Sequence, residues 1–142
     1  MMYKLLLRSG LLAMVLLSGA ASAQESGPML TVKQLMNALL TPATNTIWGA
    51  YQLETREQWQ EVENAALTVI AAAELLAAGG ALEADQASAA EADWQAWNND
   101  MIAAARQVLS AVQEQDEQAL SEAGNNALYP PCESCHQQYQ QR

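Results

Sequence analysis

The chain has 142 residues and a formal net charge of −10, and its only two cysteines lie close together near the C-terminus. So much negative charge repels nucleic acid and anionic lipid, and either steers a basic protein or a cation inward or serves solubility alone. Ala, Leu, Gln and Glu dominate and Phe is absent, so few large side chains are on hand to fill a core.

Residues 1–8 carry Lys4 and Arg8, Leu11 to Leu17 is almost wholly apolar, and Ala21-Ser22-Ala23 is a small-x-small cleavage signal. That order describes a secretory signal peptide. The 15 residues between Arg8 and Gln24 are too few for a membrane anchor, which needs about 20 apolar residues. No cysteine at the cleavage point offers a lipid attachment. The expected division is a leader over 1–23 and one domain over 24–142, exported to the periplasm and without a membrane span. Cleavage removes two positive charges and no negative ones, moving the net charge from −10 to −12.

Thr31 with Gln34 forms a capping box, and Val32, Leu35, Met36, Leu39 and Leu40 follow on one helical face. Pro42 lacks the N–H that would bond Ala38 and pushes Thr41 from helical angles, so a first helix over 31–51 is expected to bend there. Thr55 with Gln58 opens a second helix, whose seam is Trp59, Val62, Ala66, Val69, Ala73 and Leu76 and whose end is Gly79-Gly80. Residues 81–87 read as a polar connection. Ser88 with Glu91 is a third capping box, ahead of a seam of Trp94, Trp97, Met101, Ala104, Val108 and Val112. Asp116 can cap a fourth helix with Leu120, Gly124 and Leu128 inward, and Pro130-Pro131 breaks or kinks it before a last helical turn over 132–140. Four amphipathic helices with short connections predict an all-α fold, an antiparallel four-helix bundle. The four tryptophans read chiefly as core, with some available to wall a cofactor. Glu61 with Glu63 and Asp116 with Glu117 read as solvated turns rather than acid–base pairs.

Cys132-Glu133-Ser134-Cys135-His136 is C-x-x-C-H. Thiols three residues apart reach the two vinyl groups of a haem edge, and the imidazole of the next residue lies under the iron as its proximal ligand. One covalent haem c is therefore the expected cofactor. A disulfide across so short a loop would stabilise little. A thioredoxin-like pair calls for a βαβ setting, and a zinc site needs a further ligand that the single histidine does not supply.

The position of this motif on the last helix of an exported helical protein resembles the class II c-type cytochromes, the cytochrome c′ group. The resemblance covers the mature chain in helix order and motif position, and at residue level it rests on Cys132, Cys135 and His136. It implies a four-helix bundle around the haem. It also implies that a residue of the first helix meets the far side of the iron, where a Met gives a six-coordinate electron carrier and an apolar non-ligand leaves iron open to small gases. Met36 is the position that matches, with Met101 and Met29 as rivals. Lys33 stands one turn earlier, where the family often has an Arg that meets a haem propionate.

The expected function is periplasmic electron transfer, without enzymatic activity, to and from a redox protein with a basic docking surface. A homodimer is an assembly open to such a bundle. The alternatives are a five-coordinate haem protein that binds gases such as nitric oxide, and a haem-free exported thiol protein.

Overall fold

The computed structural model describes residues 27–140, so the expected leader over 1–23 lies outside the described residues. Within them the chain is all-helical, without a strand. The first helical run joins α1 (Val32–Leu35), a π-helical segment (Met36–Leu40) and α2 (Thr41–Trp48) without a break. Next come α3 (Arg56–Leu76), the short α4 (Glu83–Ala89) and α5 (Ala92–Glu114). The last run joins α6 (Glu117–Glu122), a second π-helical segment (Ala123–Leu128) and α7 (Tyr129–Tyr139). Among the described residues no helix is long and apolar enough to cross a membrane.

The two long helices follow their patterns closely. Thr55 and Gln58 make the reciprocal capping box that starts α3, so two of the amide groups a helix start leaves bare are satisfied. The seam Trp59, Val62, Ala66, Val69, Ala73 and Leu76 is buried along its whole length. On α5 the matching seam is Trp94, Met101, Ala104, Val108 and Val112, also buried, with Trp97 only half-buried. The two helices pack on each other, and the first and last runs close around them to make one shared core. Ala66, Ala72, Ala73 and Ala105 are fully buried in it, so the backbones approach closely.

Gly79 and Gly80 turn the chain with φ of +78° and +68°. A Cβ on Gly80 would fall 2.8 Å from the Leu30 carbonyl oxygen and 2.9 Å from the Val32 nitrogen. The turn thus serves as a seat for the start of the first run, sealed by the Ala81 N–H donating to the Leu30 carbonyl at 2.9 Å.

Three expectations need correction. Residues 81–87, expected as a connection, contribute to α4. The Ser88–Glu91 capping box does not form, because Ser88 belongs to α4 and Glu91 caps α5 only through its backbone. Gln95 does the joining instead, its Nε2 donating to the carbonyls of Ala77 at 2.9 Å and Ala89 at 2.7 Å. The prolines also behave differently. Thr41 keeps helical angles (φ −57°, ψ −51°), and the first run ends at Trp48 rather than at residue 51.

The π-helical turns explain this. A proline inside an α-helix loses one hydrogen bond and drives its ring against the carbonyl four residues back. The Thr41 N–H reaches the Met36 carbonyl, five residues back, and the Tyr129 N–H reaches the Gly124 carbonyl in the same way. Each turn is widened just ahead of Pro42 or of Pro130-Pro131, and the run passes through its prolines unbroken.

Candidate functional site

Cys132, Cys135 and His136 occupy one face of α7, as positions i, i+3 and i+4 of a helix must. That face forms one wall of a cleft of ≈ 180 Å³. The first run supplies another wall, with Met36, Leu40, Thr44 and Trp48, and α5 supplies Trp94, Trp97, Asn98 and Met101. Residues about a hundred positions apart in sequence are thereby brought together: the C-x-x-C-H face and Met36 share one cavity.

The lining is mostly apolar, and several of its polar groups bond to nearby carbonyls. The Thr44 hydroxyl donates to the Leu40 carbonyl at 2.9 Å. Asn98, buried in the seam of α5, donates from Nδ2 to the Ala73 carbonyl at 2.9 Å, so its oxygen is the uncommitted end of the amide. Trp94 donates from Nε1 to the Leu76 carbonyl at 2.9 Å, and Trp48 to the Gly124 carbonyl at 3.0 Å. The second of these bonds ties the first run to the last at the π-helical turn. Gly124 makes the approach feasible, since a Cβ there would press on the Trp48 ring at 3.3 Å.

Beyond His136 the helix is held by Tyr139. Its ring meets Trp94 and Trp97 edge-on at centroid distances of 5.0 and 6.0 Å, and its hydroxyl donates to a Glu91 carboxylate oxygen at 2.9 Å. Burial, and next the bond to Glu91, raise the Tyr139 pKa.

The two cysteines are half-buried and carry free thiols. Burial, and next the neighbouring Cys135, push the Cys132 thiol from 9.0 up to about 11, and burial raises Cys135 as well. A catalytic dithiol needs the reverse, a thiolate stabilised at a helix start or by a cation. Cys132 has no such helix start, because α7 continues straight from the π-helical turn before it. Among the described residues no three His, Cys, Asp or Glu side chains converge to hold a metal ion by themselves.

The cleft therefore gathers Cys132, Cys135, His136 and Met36, with Met101 beside them. His136 is exposed at this edge. Lys33 is exposed and is not part of the lining, and Met29 is 88 % exposed and also apart from it. Reading the sequence missed Asn98, Thr44 and Leu76 as lining residues. Only Asn98 left a signal there, as an amide set between Trp94 and Met101 in an otherwise apolar seam. Trp48, Trp94 and Trp97 wall the cleft, while Trp59 lies in the core away from it. Glu117 is no idle surface acid either, since its carboxylate accepts the backbone N–H groups of Gln52 and Leu53. Comparison with protein-family models, with characterised proteins and with solved structures gives no match.

Proposed function

We propose that the protein is a periplasmic c-type cytochrome, an antiparallel four-helix bundle that carries one covalent haem and transfers electrons. One observation supports this above the others: Cys132, Cys135 and His136, picked out by their spacing alone, line the same apolar, tryptophan-walled cleft as Met36.

The donor chemistry fits a haem. A porphyrin brings its own four nitrogens, so the protein needs only axial donors, and a metal site built from side chains alone is not required. The cleft offers an imidazole from α7 and a thioether from the first run, in a lining suited to a large aromatic ring. Cys132 and Cys135 would hold it by adding S–H across its two vinyl groups, with no leaving group. When bound, the haem supplies a one-electron couple at its iron.

The chain's own residues do the rest. His136 would be the imidazole ligand of the iron, and Tyr139, held by two tryptophans and Glu91, fixes the helix that carries it. Met36 would supply a thioether from the first run, a donor that favours reduced iron and raises the potential. The apolar lining keeps water from the centre, and the open mouth leaves one edge within reach of a partner.

Two measurements test this. The mature protein made alongside cytochrome c maturation machinery should keep its haem through acid–acetone extraction, and Cys132→Ala with Cys135→Ala should lose it; a colourless wild-type protein refutes the reading. The oxidised protein should be low-spin with a sulfur-to-iron charge-transfer band, and Met36→Ala should become high-spin and bind carbon monoxide. A band that survives in Met36→Ala and disappears in Met101→Ala moves the ligand to α5. Wild-type protein that is already high-spin selects the gas-binding alternative.

A further inference from the structure

The chain between α2 and α3 is tied to the last helical run at two points. Two anchors fix it there: the Trp48 indole on the Gly124 carbonyl at 3.0 Å, and the N–H groups of Gln52 and Leu53 on the Glu117 carboxylate. Tyr51 lies between these anchors and is 73 % exposed. Trp48 meets Tyr129 edge-on at a centroid distance of 6.2 Å, and these two rings are 39 % and 49 % exposed. Trp48, which lines the cleft, and Tyr129, which touches it, thus reach solvent at the cleft edge, and Tyr51 is exposed on the pinned loop that follows Trp48. Aromatic residues so placed are typical of the centres of protein interfaces.

The charge around them is one-sided. From Gln107 to Gln141 the sequence has no Lys or Arg, yet it has Glu114, Asp116, Glu117, Glu122 and Glu133. Glu133 is exposed on α7, one helical turn beyond Tyr129. The run that bears the C-x-x-C-H motif therefore presents only negative charge, and the first run facing it across the cleft has no acid and a single base, Lys33.

We propose that Trp48, Tyr51 and Tyr129 form the docking patch for a redox protein whose own electron-transfer edge is ringed by lysines. The acids of the last run steer that partner in, and the aromatic rings then hold it against the mouth of the haem cleft. A basic ring meets Glu133, one turn beyond Tyr129, while an acidic partner is repelled. The inference rests on the cytochrome reading, because it is the haem edge that gives docking at this mouth its purpose.

A lysine-rich class I cytochrome c serves as the probe and an acidic flavodoxin as its counterpart, with haem content read first from the absorption spectrum. Adding the lysine-rich probe to isotope-labelled holoprotein should shift the NMR signals of Trp48, Tyr51, Tyr129 and Glu133, and 0.5 M salt should abolish the shifts. Stopped-flow electron transfer with the same probe should slow several-fold in Glu133→Lys at low salt. It should also slow in Tyr51→Ala with Tyr129→Ala at low and at high salt. Glu61→Lys, on α3, should stay within twofold of wild type. Holoprotein whose shifts map to another face, or Glu133→Lys behaving like Glu61→Lys, overturns the docking patch and leaves the cytochrome reading standing. Preference for the flavodoxin overturns it too. A protein without haem takes down both, and the spectrum shows which has failed.

Discussion

The pair α3 and α5 and the pair formed by the first and last runs do different work with the same kind of helix. Over α3 and α5 every turn is regular and the seams are nearly all apolar, with Asn98 the exception. The first and last runs each contain a π-helical turn followed by proline, and between them they carry Met36, Cys132, Cys135 and His136. The regular pair is chiefly a scaffold, with α5 lending one wall of the cleft, and the irregular pair carries the C-x-x-C-H face and Met36. A π-helical turn gains a residue without breaking the run and so re-aims the side chains after it, which suits a cavity wall better than a packed seam.

Two tryptophans put this division to its largest test. Trp59 starts the α3 seam at 7 % exposure, and Trp59→Ala should cost about 3–5 kcal/mol of unfolding free energy by denaturant titration. Trp48 is far more exposed, and Trp48→Ala should cost less than about half as much. Its main effect should be a changed haem spectrum, as the tie to Gly124 is lost. Equal losses from the two substitutions would erase the distinction between scaffold and site.

Gly80→Ala is the next largest. A left-handed φ and a Cβ crowded by the Leu30 and Val32 backbones both oppose it, so a loss of more than about 1 kcal/mol is expected in thermal unfolding. The damage should spread to the first run, whose start rests on that turn.

The thiols give a smaller effect that depends on pH. Folding raises the Cys132 pKa from 9.0 to about 11, so the native state holds this proton more tightly than the unfolded chain. Its contribution is complete below pH 9 and is lost as the pH rises toward 11, amounting to no more than about 2 kcal/mol once its partial exposure is allowed for. The haem-free chain should show this alkaline loss in urea titrations at pH 8 and pH 11. Cys132→Ala should lack it, and so should the haem-loaded protein, whose sulfurs have no proton to lose.

The smallest change in stability is expected from Pro42→Ala, within about 1 kcal/mol by denaturant titration, since the π-helical turn already accommodates the ring. Its value is in the site. With the proline gone, the first run is free to return to α-helical spacing and rotate Met36, so the sulfur-to-iron band should weaken. An unchanged band would mean that Met36 does not depend on the irregular turn.

What was legible in the sequence follows the same division. Seam spacing from Trp59 to Leu76, the two capping boxes at Thr31 and Thr55, the Asp116 cap and the left-handed Gly79-Gly80 turn are local patterns that the structure carries out. C-x-x-C-H, too, needs no fold to be noticed. The π-helical turns were hidden because an i→i−5 bond leaves no residue-type signature, and proline by itself reads as a break. Placing Asn98, Thr44 and Trp48 at the cleft required knowing how the runs cross, which spacing along one helix does not contain. The failure at Ser88 has a local cause: the Ser and Glu were correctly spaced, but Gln95 could reach two carbonyls at once and decided where α5 begins.

Like a beam on two supports, α7 is anchored before the C-x-x-C-H face by the Trp48 bond to Gly124 and beyond it by Tyr139 on Glu91. Neither support is at the cysteines or the histidine, so stiffness at the site is set from outside it. Shortening the chain from its C-terminus by a few residues would remove the Tyr139 support and leave a cantilever, with His136 near the free end. Tyr139 therefore belongs to the mechanics of the site, and a truncation before it should loosen the helix that carries His136.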